Sequence, residues 1–136
     1  MNVNAGPAAL RARIIDALPA AARDALDRLL AVAPEAYAAG GAVRDAIMER
    51  PIVDLDIVTE GDAIEIARAA WPEAHLTAHE RFRTASAPFD GFWIDLATAR
   101  TETYAHPGAL PDVTPADIHA DLLRRDFTVN AMALSL

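Results

Sequence analysis

The sequence predicts a mixed α/β domain: one mixed sheet with flanking helices. Three observations carry this expectation. Segments with apolar residues at helical spacing alternate with short strand-like runs. Proline and glycine punctuate the chain where one kind of segment gives way to the other. Finally, 136 residues, 53% of them hydrophobic, suffice to bury a single core.

Each element follows from local chemistry. Leu10, Ile14, Ile15 and Leu18 recur at helical spacing, and Pro19 opens a second segment whose apolar stripe is Leu26, Leu29 and Leu30. Both helices read as cover for a core. After Pro34, residues 35–39 read as a short strand, Gly40-Gly41 as a tight turn, and 42–49 as a helix ended by Pro51. Residues 52–59 read as a strand and 62–70 as a helix stopped before Pro72. Strand-like runs follow at 75–79, 83–87 and 91–97, with Pro88, Asp90 and Gly91 turning a hairpin between the last two. Residues 101–115, rich in Pro, Gly and Thr, read as one long loop. Thr114 is then expected to cap a helix, with Pro115 at its first position and Asp117 at N3, running to about Leu123. From Arg124 onward a charge cluster is followed by an apolar tail with strand or helix potential.

Composition narrows the chemistry. With no cysteine, disulfides, thiolate catalysis and cysteine-ligated metals are excluded. With no lysine, a Gly-Lys-Ser/Thr phosphate loop and Schiff-base chemistry are excluded too. A formal net charge of −8 argues against a domain that grips a nucleic-acid backbone by itself. No stretch reaches the roughly 18 apolar residues of a membrane span, and the N-terminus lacks the pattern of a secretory signal. A soluble, cytoplasmic protein with no membrane partner is expected; nothing in the sequence fixes its oligomeric state.

The sharpest local feature is Asp54-Leu55-Asp56. On a strand, residues i and i+2 share a face, so both carboxylates project together while Leu55 and Ile57 point to the core. Paired carboxylates raise one another's pKa unless a cation sits between them, and a hard ion such as Mg²⁺ suits them. A solvated acidic strand end is the plainer alternative. Asp95 likewise interrupts an apolar strand, where an arginine such as Arg100 could instead satisfy it. Gly40 and Gly41 let backbone approach a phosphate closely, and Arg44 could add a charged contact. Arg124, Arg125 and Asp126 follow a helix, with Asn130 offering a donor and an acceptor. His75 and His79 have i, i+4 spacing, but on a strand this is a poor zinc pair. Together the carboxylates, glycines and arginines suit a two-metal nucleotidyl transfer.

The ordered set Gly-Gly-Ala-Val-Arg-Asp (40–45), Asp-Leu-Asp (54–56), Ile-Asp-Leu-Ala-Thr-Ala-Arg (94–100), Tyr-Ala-His-Pro-Gly-Ala-Leu-Pro (104–111) and Asp-Leu-Leu-Arg-Arg-Asp-Phe-Thr-Val-Asn-Ala-Met-Ala (121–133) resembles class II tRNA nucleotidyltransferases, the CCA-adding enzymes, and bacterial poly(A) polymerases. The resemblance covers residues 35–136 and implies the catalytic head, of DNA polymerase beta-type nucleotidyltransferase fold. Residues 1–34 would be a helical extension, and the family's neck, body and tail are not represented. The activity implied is Mg²⁺-dependent addition of CMP or AMP, from CTP or ATP, to a tRNA or other RNA 3′ end. Asp54 and Asp56 would be catalytic and ligate the metal, and Asp95 would be the third carboxylate. Gly40, Gly41, Arg44, Arg125, Asp126 and Asn130 would bind nucleotide. Relatives usually carry glycine where this chain has Arg83. Two other readings stand beside this one: a non-catalytic nucleotide-binding remnant, and a small stand-alone nucleotidyltransferase acting on a non-RNA substrate.

Overall fold

The computed structural model describes residues 5–136. Helix α1 (Pro7–Ala17) starts with proline at its first turn, where a missing N–H costs nothing, and Pro19 caps α2 (Ala20–Val32). Then come β1 (Ala36–Ala39), α3 (Gly41–Ile47), β2 (Asp54–Thr59), α4 (Ala63–Ala70) and β3 (Thr77–His79). A 3-10 turn at Glu80–Phe82 leads into β4 (Thr84–Phe89) and β5 (Phe92–Thr98). The chain continues through β6 (Arg100–Thr103), β7 (Asp112–Pro115), α5 (Ile118–Leu123), a second 3-10 turn (Thr128–Asn130) and β8 (Ala133–Ser135). Among the described residues, no helix is long and apolar enough to cross a membrane.

Six strands form one mixed sheet in the order β3-β4-β5-β2-β1-β8. Only β2 and β5 pair in parallel; the other four pairings are antiparallel. The parallel pair needs a long crossover, which α4, β3 and β4 provide. Asp62 caps α4 by accepting from the N–H groups of Ile64 and Glu65, both at 3.0 Å. The turn between β4 and β5 is two residues, Asp90 and Gly91, both at positive φ, and Phe89 pairs with Phe92.

One face of the sheet is buried by helices. Leu55 and Ile57 on β2, Ile94 and Leu96 on β5, and Ala85 and Ala87 on β4 join a core with Ile14, Leu26, Leu29, Val43 and Ile64 from α1 to α4. Much of this core is alanine, which lets helices approach the sheet closely. The N-terminal helices are thus an integral wall of this core. Trp71, 1% exposed, ties them in: its indole N–H donates to the Ala25 carbonyl at 2.9 Å and its ring meets Phe89 edge-on at 5.1 Å. The other face carries only a small cluster of Ala39, Val58, Ala99 and Ile118, where α5 packs. The rest of that face is left open.

Three sequence expectations are corrected here. The stretch read as one long loop contains an antiparallel ribbon, with Arg100–Thr103 pairing to Asp112–Pro115. Thr114 and Pro115 lie in that ribbon, so the helix starts later, and Asp117 is its cap through a 2.8 Å bond from the Ala120 N–H. Arg83 stands outside the strand, in the left-handed region at φ 53°, ψ 48°. That conformation, which glycine adopts freely, costs an arginine about 1 kcal/mol. Its carbonyl accepts from the Thr98 N–H at 3.1 Å, anchoring the end of β5.

Replacing Trp71 by Phe removes the indole N–H bond to the Ala25 carbonyl and leaves a small void where the larger ring stood. The expected loss is about 1–3 kcal/mol of unfolding free energy in urea melts, with the fold retained.

Candidate active site

The open face of the sheet collects the carboxylates. Alternation on β2 turns Asp54 and Asp56 outward while Leu55 and Ile57 are buried. On β5 the same alternation buries Ile94 and Leu96 and turns Trp93, Asp95 and Ala97 outward. The parallel register then sets Asp54 beside Trp93 and Asp56 beside Asp95. The hairpin register places Ser86 beside Asp95, and its hydroxyl donates to Asp95 Oδ1. Asp95 is therefore an interior-strand residue served by Ser86; Arg100, the alternative partner considered from the sequence, is bonded to Glu102 and to the Phe82 carbonyl.

Asp56, Asp95, Ser86, Thr84 and Arg125 line a cleft of about 300 Å³. Asp56 is pushed up from the usual carboxylate range to about 6. Desolvation is the largest cause, the charges of Asp95 and then Asp54 add to it, and Arg125 opposes it. The cleft thus holds more negative charge than its one arginine offsets. A larger groove of about 520 Å³ passes Arg68, Trp71 and His75 near the β3 edge, but no carboxylate lines it. His75 and His79 join no metal-holding cluster among the described residues.

The donor set fits a hard divalent cation: carboxylate oxygens only, mutually repelling and partly desolvated. Among the described residues no three acidic or imidazole side chains converge closely enough to enclose an ion by themselves. A cation here would complete its ligands with water and substrate phosphate, the usual habit of Mg²⁺.

A second cluster adjoins the cleft. Gly40, at φ 62° and ψ −119°, takes a conformation that side-chain-bearing residues avoid, and this turns the chain from β1 into α3. A Cβ on Gly40 would lie 3.6 Å from Arg125 Nη1 and 3.7 Å from the Asn130 carbonyl. Arg44 lies against Gly41, holds both oxygens of Asp45 at 2.9 and 3.1 Å, and reaches Asn130 Oδ1 at 3.4 Å. Arg125 links the two clusters, lining the cleft and donating to the Asn130 carbonyl at 3.4 Å. Of the residues singled out in the sequence, Asp56, Asp95 and Arg125 share the cleft, Asp54 stands two residues along the same face, and Gly40, Gly41, Arg44 and Asn130 gather beside it. Asp126 is exposed outside the cleft lining, its charge acting on the Tyr104 hydroxyl.

Sequence reasoning passed over Ser86, Asp45 and Asp121. The signal for Ser86 was available, since a two-residue turn at Asp90-Gly91 sets it opposite Asp95. Asp121 stands three and four residues before Arg124 and Arg125, the spacing of helical ion pairs.

The sequence profile of the poly A polymerase head domain matches residues 36–136. The chain belongs to this family. An A-adding tRNA nucleotidyltransferase of Aquifex aeolicus strain VF5 is 45% identical over 103 residues, 74% of this chain and 12% of the relative. A solved CCA-adding enzyme in an apo form superposes with a TM-score of 0.74 at 39% identity, over 91% of this chain and 31% of that one. A tRNA nucleotidyltransferase solved with a primer tRNA and an incoming ATP analog gives a TM-score of 0.61 at 39% identity, over 73% of this chain and 27% of that one. The head domain thus has the nucleotidyltransferase fold, and this chain spans under a third of the length of these relatives.

The raised carboxyl of Asp56 makes a prediction about pH. Its folded pKa, about 6, exceeds the unfolded value near 4. Its contribution to stability is therefore full below about pH 4 and is lost as pH rises through 6. Thermal melts of the metal-free chain should show Asp56→Asn gaining on the parent between about pH 4 and 6 and keeping that gain, level, up to pH 8. A variant less stable than the parent at pH 8 would contradict the assignment of the repulsion to Asp56.

Proposed function

We propose that this chain carries the catalytic head of a cytoplasmic, Mg²⁺-dependent nucleotidyltransferase that adds CMP or AMP, from CTP or ATP, to the 3′ end of a tRNA or similar RNA. In this reading residues 35–136 are the head and residues 1–34 a helical extension, whose helices α1 and α2 join the head's core. The observation that carries the proposal is the register of β2 and β5, which sets Asp56 beside Asp95 with Asp54 on the same face. Arg125 and a glycine turn stand next to them. Similarity to enzymes named for A addition and CCA addition, one solved with primer tRNA and an ATP analog, supports the substrate class.

Each group has a role in such a reaction. Asp54 and Asp56 would hold the metal, and Asp95, its orientation fixed by the Ser86 hydroxyl, would complete the acidic wall. Bound there, Mg²⁺ supplies activation of the attacking hydroxyl and charge neutralisation on the leaving pyrophosphate. Arg125 and Arg44 would meet phosphate oxygens, and Gly40 and Gly41 let the backbone come close to them. Asn130 and Asp126 would contact the sugar. No side chain forms a covalent intermediate; positioning and charge do the work.

The test is calorimetric titration of the chain with CTP and with ATP, with and without Mg²⁺, repeated on Asp54→Ala. Binding of both nucleotides that depends on Mg²⁺ and disappears in the variant is expected. In a full-length protein carrying this head, Asp54→Ala or Asp56→Ala should lower nucleotide addition by more than roughly a hundredfold while thermal stability is kept. Retained addition in either variant would remove these residues from the metal site.

A further inference from the structure

We propose that Asp121 is a positioning residue for this site: its buried carboxylate holds Arg125 back from Asp56 and Asp95, leaving the guanidinium available to a triphosphate. The inference rests on the reading of the cleft given above and adds a residue that the reading does not use.

Asp121 is fully buried on α5, and four N–H groups converge on its two oxygens. Oδ1 accepts Nε and Nη2 of Arg125 at 3.1 and 2.9 Å. Oδ2 accepts the backbone N–H of Arg100 at 3.0 Å and Nη2 of Arg124 at 3.3 Å. A carboxylate is tolerated at this depth only because its oxygens are so fully bonded. Arg100 is the first residue of β6, just beyond the strand that carries Asp95. The oxygen pair of Asp121 is thus pinned to the β5–β6 junction on one side and grips Arg125 on the other. It thereby fixes Arg125 relative to Asp95.

The brace extends further. Glu102 pairs with Arg100 at 2.9 Å and Arg124 at 3.0 Å, and the Tyr104 hydroxyl donates to its second oxygen. Burial alone would raise the Glu102 carboxyl, but Tyr104, Arg124 and Arg100 outweigh it and bring it below its usual value. Arg124 is held by Glu102 and takes only Oδ2 of Asp121, which leaves Oδ1 to Arg125.

The need for such a grip follows from the cleft. Arg125 lines it together with Asp56 and Asp95. A guanidinium freed there would face carboxylates that repel one another, and would close onto them. It would then occupy the space that cation and phosphate require. Asp121 competes for the same guanidinium through two charge-assisted bonds from one turn away on α5.

The test measures ATP and CTP affinity of the chain in Mg²⁺ for Asp121→Asn, Arg125→Met and the double variant, with thermal melts of each. Arg125→Met should bind roughly tenfold more weakly, the equivalent of one charge-assisted hydrogen bond. Asp121→Asn should lose about as much and should need several times more Mg²⁺ for half-saturation, since the freed Arg125 would compete with the ion. The double variant should bind no more weakly than Arg125→Met, because Asp121 acts through Arg125. Losses that add in the double variant, or a folded Asp121→Asn with parental affinity, would overturn the proposal. Parental affinity in Arg125→Met would instead overturn the reading of the cleft, and this inference with it. If Asp121→Asn does not fold, Arg125→Lys decides. It keeps the charge but not the two-pronged edge that Asp121 grips, so a several-fold higher Mg²⁺ requirement supports positioning and a parental one refutes it.

Discussion

One parallel pairing organises this molecule. Strand β2 lies beside β5, and only in that register do Asp56 and Asp95 stand side by side with Asp54 on the same face. The arrangement works against itself electrostatically. It is imposed by what lies on the opposite side of the same strands, where Leu55, Ile57, Ile94 and Leu96 are almost wholly excluded from water. Slipping the register by one residue would exchange the two sets and expose four large apolar side chains, at about 1.5–3 kcal/mol each. The core therefore holds the carboxylates together, and their mutual repulsion is small beside that burial.

The elements around this pair serve its register. The Asp62 cap starts α4 where the crossover must turn back over the sheet, and Trp71 locks the end of that helix to α2 and β4. The Asp90-Gly91 turn admits one register between β4 and β5, and so delivers Ser86 to Asp95. The open face needs different support, because only α5 covers it. There the chain uses ion pairs in place of apolar packing: Asp121 and Glu102 join α5 to the β6–β7 ribbon through Arg100, Arg124 and Arg125.

This division explains what could be read from the sequence. Most core-facing elements were legible, because burial on one face leaves a periodic trace: the stripes of α1 and α2, the alternation on β2 and β5, the turn at Asp90-Gly91. The Asp54 and Asp56 pair was legible for the same reason. The ribbon was not, since β6 and β7 bury little and pair mainly with each other, so Thr101 to Pro115 carries the composition of a loop. Strand β8, three residues long, is too short to leave a periodic trace, and the apolar tail that holds it read equally as strand or helix. Thr114-Pro115 imitated a helix start, while Asp117 three residues later holds the actual cap bond. The partners of the arginines were hidden too. Nothing local shows that Arg44 turns to its neighbour Asp45 and across to Asn130, or that Glu102 meets Arg124 across 22 residues.

Charge bookkeeping across the site gives the last step. Arg44 is spoken for by Asp45, Arg100 and Arg124 by Glu102, and Arg125 by Asp121. None of the four is a free cation, yet among the described residues no arginine forms an ion pair with Asp54, Asp56 or Asp95, and Arg125 acts on Asp56 only through its charge. The cleft by itself is negative, within a chain of net charge −8. In the proposed function, a triphosphate arriving alone would be repelled by these carboxylates. The arginines can offer geometry, with N–H groups already fixed in direction, but little net attraction. In that reading attraction would enter with a divalent ion, so the carboxylates would gain a cation and a nucleotide together, each making the other's binding favourable.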